Sequence, residues 1–227
     1  MDWDTLARQI DADGFAVTPE PLLDPVECRE LREGFGDGRR YRSTVDMARF
    51  RFGEGCYRYF RYPLPPVVAA LRQATYPPLA TIANRWHEQL GETERFPADL
   101  AQLTARCHEA GQNRATPLVL RYQAGGYNCL HQDLYGDIAF PLQITVALTR
   151  PGVDFTGGEN LFVEQRPRSQ SRGTAVPVPL GHGVVFPTRY RPVAGAKGRY
   201  RVAVRHGVST VRSGERLTLG VIFHDAR

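Results

Sequence analysis

Residues 199–223, RYRVAVRHGVSTVRSGERLTLGVIF, decide how this chain is read. In the first third Val202 and Val204 alternate with Arg201, Ala203 and Arg205, the period of two of a half-buried strand. The same alternation carries His206 onto the valine side, the expected interior, and turns Arg201 and Arg205 outward. A second strand opens at Arg216, ten residues after His206, and Arg216 and Thr218 share one of its faces. A guanidinium and a hydroxyl could there converge on one carboxylate, which an arginine fork pairs bidentately. Alone, neither residue carries function: a histidine on an apolar face is ordinarily a core residue, and a strand arginine is ordinarily solvated.

Working outward, similar short apolar runs fill the second half: PLVLRY (117–122), FPLQITVAL (140–148), ENLFVE (159–164), TAVPV (174–178) and GVVF (183–186). Gly, Pro, Asp and Ser separate them at the spacing of a β-sandwich or barrel. Before Thr116 the period is helical. Trp3, Leu6, Ala7 and Ile10 predict a first helix, closed by Gly14 ahead of a short strand at Phe15–Val17. Asp24, Pro25 and Glu27 form a capping-box pattern that opens a helix towards Phe35. Two more helices are predicted over 67–90 and 98–110. Ahead of them the arginine- and aromatic-rich stretch RFRFGEGCYRYFRYPLPP (49–66) has no assigned element. Long βαβ alternation is missing, which argues against a Rossmann-type fold. The expected fold class is mainly β with a helical N-terminal half (α+β). It is a single domain over 1–227, in which 1–115 is a helical support region and 116–227 a barrel or jelly roll.

Composition agrees with a globular chain: of 227 residues, 42% are hydrophobic and 23% charged. No apolar run reaches the ~20 residues of a membrane span, and the start MDWDTLARQI is polar and unlike a signal. Cys28, Cys56, Cys107 and Cys129 stand far apart without a CxxC pair, so they are expected as reduced thiols of a cytoplasmic protein. Charge is lopsided. Residues 1–115 carry 15 basic and 17 acidic side chains, net −2, and residues 116–227 carry 14 and 7, net +7. Within 166–216 eleven basic residues face a single acid, Glu215. Either that half meets an anion or its surface tolerates arginine.

The remaining constellation is His131-Gln132-Asp133, after the Gly125-Gly126 turn. Residues two apart on a strand point the same way, so an imidazole and a carboxylate could face one metal ion. An HxD this short also recurs by chance. Taken in order, the signals form a pattern. Two histidines and one carboxylate on strands make the facial triad of non-haem Fe(II) oxygenases, which leaves positions open for co-substrate and O2.

At this point the chain resembles the 2-oxoglutarate- and Fe(II)-dependent oxygenase superfamily, in its prolyl-hydroxylase-like branch. The pattern is HxD, a long gap, a distal His, and an Arg about ten residues later with Ser or Thr two places on. Here it reads His131, Asp133, His206, Arg216 and Thr218. The Arg121-Tyr122 strand, the turn Phe155-Thr156-Gly157-Gly158-Glu159 and the PLGHGVVF strand match as well, and LLDPVECRELREGF is similar to the branch's N-terminal helix. The resemblance implies a double-stranded β-helix. It implies Fe(II) held by His131, Asp133 and His206, and 2-oxoglutarate chelating the iron with its far carboxylate on Arg216 and Thr218 and a hydrogen bond from Tyr122. O2 is the oxidant, ascorbate a supporting reductant, and succinate and CO2 the co-products. His182, in a Gly-His-Gly turn, and His224, beyond the arginine, fall outside the pattern and read as structural.

Weaker candidates follow. Gln143 and Thr145 alternate with Leu142, Ile144 and Val146 and could line the pocket. Cys129 shares the face of His131 and is expected as a small buried side chain. Tyr135 and Asp137 follow HxD, and Arg166, Arg168 and Arg172 could rim the mouth. The leading function is hydroxylation of a C–H bond in a protein side chain of prolyl type, or in a small molecule. The alternative is oxidative demethylation of alkylated nucleobases, which the basic half suits. That branch carries RxNxTxR, however, and Arg216-Leu217-Thr218-Leu219-Gly220 lacks the asparagine and the second arginine. A second alternative is a non-catalytic sensor holding metal or a small acid on the same barrel.

Overall fold

The computed structural model describes residues 1–133, 136–196 and 198–227. Helix α1 (Trp3–Asp13) buries Leu6, Ala7 and Ile10 and stops at Gly14, whose φ of 83° suits a residue without Cβ. β1 (Ala16–Val17) follows. α2 (Pro25–Glu33) starts as its sequence predicts: the Asp24 carboxylate accepts from the amides of Val26 and Glu27, and Glu27 reaches back to the Asp24 amide. The arginine- and aromatic-rich stretch and its flank then form β2 (Tyr41–Asp46), β3 (Gly53–Glu54) and β4 (Cys56–Phe60). α3 (Pro66–Gln89) runs through Pro77 and Pro78, and α4 (Leu100–Glu109) closes the first half.

The second half is β throughout. In order come β5 (Leu118–Gln123), β6 (Tyr127–His131), β7 (Leu142–Ala147), β8 (Phe155–Gly157) and β9 (Asn160–Gln165). They are followed by β10 (Arg172–Val176), β11 (Gly183–Pro187), β12 (Tyr190–Gly195), β13 (Gly198–Val208) and β14 (Val211–Val221). An eight-stranded antiparallel sheet has the order β1-β11-β7-β14-β5-β4-β2, with β8 also on β14. A six-stranded sheet has the order β10-β9-β13-β6-β3, with β12 also on β13. This is the mainly β, helix-supported jelly roll that the sequence predicts.

Alternation sorts the larger sheet into two faces. Leu142, Ile144 and Val146 of β7 and Leu217, Leu219 and Val221 of β14 join Leu6, Ile10, Leu31, Trp86 and Leu103 of the helices in one buried cluster. Each large aliphatic buried there contributes about 1.5–3 kcal/mol, so the helices are held by this face. The intervening Gln143, Thr145 and Thr218 point the other way, into a cavity between the sheets.

Two expectations need correction. Residues 1–115 are not helical support alone, because β2 and β4 extend the larger sheet and β3 the smaller one. Aromatic side chains favour a pleated surface, and in β4 Tyr57 and Tyr59 alternate with Arg58 and Phe60, a period that the surrounding arginines and glycines hid. β12 was also unforeseen. It brings in Arg191, a buried exception to the exposed arginines of 166–216: it pairs with Glu164 at 2.5 Å and donates to the Asp11 carbonyl near the end of α1.

Candidate active site

β6 and β13 pair antiparallel with His131 opposite His206, so the register itself sets the two imidazoles side by side, tilted at 53° with ring centroids 4.3 Å apart. Asp133 leaves the end of β6 beside them. One carboxylate oxygen lies 3.0 Å from His206 Nε2 and the other 3.5 Å from His131 Nε2. One ligand atom from each residue falls within a 4.8 Å cluster, in reach of a single ion.

The surroundings fix each group. The Nδ1–H of His131 donates to the Cys129 carbonyl at 2.8 Å, which leaves Nε2 as the lone-pair donor. Gln143 Nε2 donates to Asp133 at 2.8 Å, and the Asp133 amide reaches the Thr188 carbonyl. Gln132, between the two HxD residues, hydrogen-bonds the carbonyls of Arg189 and Val204 and ties the motif to its neighbours. Burial disfavours the Asp133 carboxylate, but the two histidines outweigh it and hold its pKa well below the usual range. Burial pushes His206 down despite Asp133, whereas in half-exposed His131 the Asp133 hydrogen bond prevails and raises it. One carboxylate and two imidazoles with shared open space suit a divalent iron.

At the other end of the cavity Arg216 is 2% exposed. Its Nη2 donates to Asn160 Oδ1 at 3.0 Å, its Nη1 lies 3.4 Å from Thr218 Oγ1, and its guanidinium stands 5.4 Å from the centre of the Tyr122 ring. Among the described residues no carboxylate forms an ion pair with it; Glu159, which bonds Ser209, acts on it only from farther off. Burial lowers its pKa to about 10. The fully buried Tyr122 hydroxyl has no well-formed hydrogen bond from the protein, and Asn128 is its polar neighbour. A buried cation without a counter-anion, beside a hydroxyl and a phenol, fits the far carboxylate of 2-oxoglutarate. The Gly157-Gly158 turn, with φ of 70° and 65°, makes room: a Cβ on Gly158 would stand 2.8 Å from Arg216 Cδ.

The cavity joining the two ends measures about 430 Å³. Tyr57, Tyr59, Leu118, Leu120 and Ile222 form an apolar wall, and Phe52 and Leu130 lie at its mouth. All six predicted site residues, His131, Asp133, His206, Arg216, Thr218 and Tyr122, are thus brought to one cavity, as are Gln143 and Thr145. Other expectations fail. Cys129 is exposed and not buried, because the part of β6 that carries it lines the open cavity. Asp137 turns outward to Arg227, and Arg166 pairs with Glu164 away from the cavity. Arg168 and Arg172 are exposed and do not line it. Tyr135 lies outside the described residues. His182 bonds the Thr18 carbonyl and His224 accepts from the Phe140 amide, both as structural residues. Asn160, Tyr57 and Tyr59 were missed. Asn160 directly follows the Gly-Gly-Glu turn, a signal that could have found it, whereas the tyrosines reach the site through the β4–β5 pairing.

A jelly roll holding two histidines and an aspartate across from a buried arginine is the architecture of a 2-oxoglutarate- and Fe(II)-dependent oxygenase, and this chain is an enzyme of that class. Residues 55–226 match the family Oxygenase-NA, described as an "oxygenase, catalysing oxidative methylation of damaged DNA", and the chain belongs to that family. An uncharacterized protein of Mycobacterium tuberculosis strain H37Rv is 53% identical over 167 residues, covering 74% of this chain and 72% of the relative. Among solved structures, a Pseudomonas putida prolyl-4-hydroxylase is similar at a TM-score of 0.56 and 16% identity, over 99% of both chains. A 2OG-Fe(II) oxygenase family oxidoreductase from Burkholderia pseudomallei gives 0.56 and 15%, over 100% of this chain and 95% of that one. The α-ketoglutarate-dependent epimerase SnoN of nogalamycin biosynthesis gives 0.57 and 16%, over 98% and 82%. At these identities the likeness establishes the fold.

Proposed function

We propose that this oxygenase oxidises an alkyl C–H bond on a nucleobase, with the 227 residues acting as one domain. The observation that carries this reading is the cavity wall: beside the triad it is lined by the aromatic side chains of Tyr57 and Tyr59, packed edge to face 5.4 Å apart, a lining suited to a planar ring. Arg42 stands 4.5 Å from the Tyr59 ring centre and stiffens that wall. The family description, with damaged DNA as its substrate, favours the same class. The prolyl-type reading has the fold of prolyl hydroxylases behind it, and fold alone does not choose a substrate.

In this reading His131, Asp133 and His206 hold Fe(II) on one face, with Gln143 fixing the carboxylate. Arg216, Thr218 and Tyr122 hold the far carboxylate of 2-oxoglutarate. Bound iron and co-substrate supply the oxidising power, using O2 and releasing succinate and CO2. The chain's own part is placement: the apolar wall excludes water and aims the substrate's alkyl group at the open side of the triad. An N-methyl group gains one oxygen and leaves as formaldehyde, and the nitrogen regains its proton. Four thiols without disulfides favour a reducing, cytoplasmic setting. Among the described residues no helix is long and apolar enough to cross a membrane.

Succinate and formaldehyde should appear in equal amounts with an N-methylated oligodeoxynucleotide, Fe(II) and 2-oxoglutarate. Coupled turnover only with a prolyl peptide, read as hydroxyproline, would overturn the nucleobase reading.

A further inference from the structure

At the cavity mouth a short tip projects between β2 and β3, and its side chains are built for a partner. Met47 is fully buried and anchors it; its carbonyl accepts from the amides of Phe50 at 3.1 Å and Phe52 at 3.0 Å. The Phe52 carbonyl in turn accepts from the Cys129 amide at 2.8 Å, which locks the tip to the strand carrying His131. At its apex Arg51 adopts a φ of 59°, a conformation uncommon for a residue with Cβ and held here by the surrounding bonds. What this frame presents is apolar. Phe50 is 53% and Phe52 47% exposed, and their rings stack at 5.6 Å with only 21° between planes. Arg49 and Arg51 flank them, exposed, and neither forms an ion pair among the described residues. Phe52 and Arg51 also line the cavity, so the tip is continuous with the site.

Two rings held parallel in water, between two uncommitted cations, match the chemistry of a nucleic-acid strand: flat bases to stack and phosphates to neutralise. We propose that the Phe50–Phe52 stack is a platform for the base next to the one in the cavity, with Arg49 and Arg51 on the adjoining phosphates. The proposal rests on the nucleobase reading above and names how the strand carrying that base is held. It also gives a role to 49–52, the start of the arginine- and aromatic-rich stretch 49–66.

The test uses a single-stranded oligodeoxynucleotide with 2-aminopurine beside an N-methylated base, bound without O2 to the full chain loaded with Fe(II) and 2-oxoglutarate. Stacking on the platform quenches 2-aminopurine. Phe50→Ala and Phe50→Leu should both abolish the quench and weaken binding roughly 5- to 150-fold, while Phe50→Trp keeps both. Leucine retains apolar bulk without a flat face, so its loss separates stacking from simple burial. Arg51→Gln should lower the slope of log affinity against log salt by about 0.7. Equal quenching in Phe50→Ala would overturn the platform. Oxidation of the oligonucleotide with unchanged affinity in every variant would overturn it too, and leave the nucleobase reading standing. No affinity for the oligonucleotide, with hydroxylation of a prolyl peptide, would overturn both. Self-association that Phe50→Ala dissolves, with oligonucleotide binding untouched, would make a second copy the occupant and reject the proposal.

Discussion

The two ends of the cavity are opposites. Around Arg216 everything is closed: Thr218, Tyr122 and Asn160 are buried with it, and the cation waits without an anion. Around His131 the cavity opens, with that histidine's side chain 36% exposed and Leu130, Cys129 and Phe52 at the surface. In the proposed reading the closed end takes one small dicarboxylate, because a desolvated ion rewards only the anion that completes it. The open end is left for a substrate too large to be swallowed. The triad lies where the two meet.

The largest effect belongs to that junction. His206→Ala or Asp133→Ala should reduce Fe(II) affinity by more than about 100-fold and abolish succinate formation, while circular dichroism shows the chain still folded. Wild-type metal titration in either variant would separate the histidine–aspartate cluster from the iron.

Next comes the closed end. Arg216→Ala should raise the 2-oxoglutarate requirement about 30-fold or more, since truncating one partner of a buried charge pair costs about 2–5 kcal/mol. The same contrast has a less obvious side. Arg216→Met removes a desolvated cation that has no counter-anion in the free protein, so the variant's melting temperature without ligand should equal or exceed that of the native chain. It should also lose the stabilisation that 2-oxoglutarate gives. A lower melting temperature without ligand would mean that Arg216 holds the fold rather than awaiting a ligand.

How much of this was legible depended on distance along the chain. His131 with Asp133, and Arg216 with Thr218, are pairs two apart on strands, and strand geometry alone sets each on one face. His206 needed only its own strand's alternation. Asn160 was legible only as the neighbour of the Gly-Gly-Glu turn, because its bond to Arg216 depends on β9 and β14 meeting across 56 residues. Tyr57 and Tyr59 look like any aromatic pair until β4 docks on β5. Cys129 was misread for a related reason: alternation says which residues share a face but not whether that face is covered.

Acid should also probe the buried core outside the cavity, through His224. Burial pushes His224 down to about 4, against about 6.5 in an unfolded chain, and its Nδ1 accepts from the Phe140 amide, which requires the neutral ring. Between those values the unfolded chain takes up a proton that the folded chain refuses. Stability is therefore whole above about pH 6.5 and falls as the pH drops towards 4, by about 3 kcal/mol at most. His224→Gln should flatten that dependence in denaturant titrations at pH 7 and 5. An equally steep loss in the variant would assign the acid sensitivity to other groups.

The smallest effect is expected at the open end, from Cys129. Its carbonyl, not its thiol, accepts the His131 Nδ1–H, so Cys129→Ser preserves the contact that matters and should change turnover less than about twofold. The thiol itself reports the contrast between the ends. Cys129 is exposed at the mouth, while Cys28 and Cys107 are buried and burial raises the Cys28 pKa to about 11, leaving almost no thiolate near neutrality. A maleimide should therefore label Cys129 in the native protein, and Cys28 and Cys107 only after unfolding, as mass spectrometry of the digested chain would show. Saturating oligonucleotide should slow labelling at Cys129, since a strand seated on the adjoining tip covers the mouth. Protection by oligonucleotide with none by a prolyl peptide would place the strand at the open end by a readout independent of turnover. Labelling of Cys28 as fast as Cys129 would show that the closed interior is not closed.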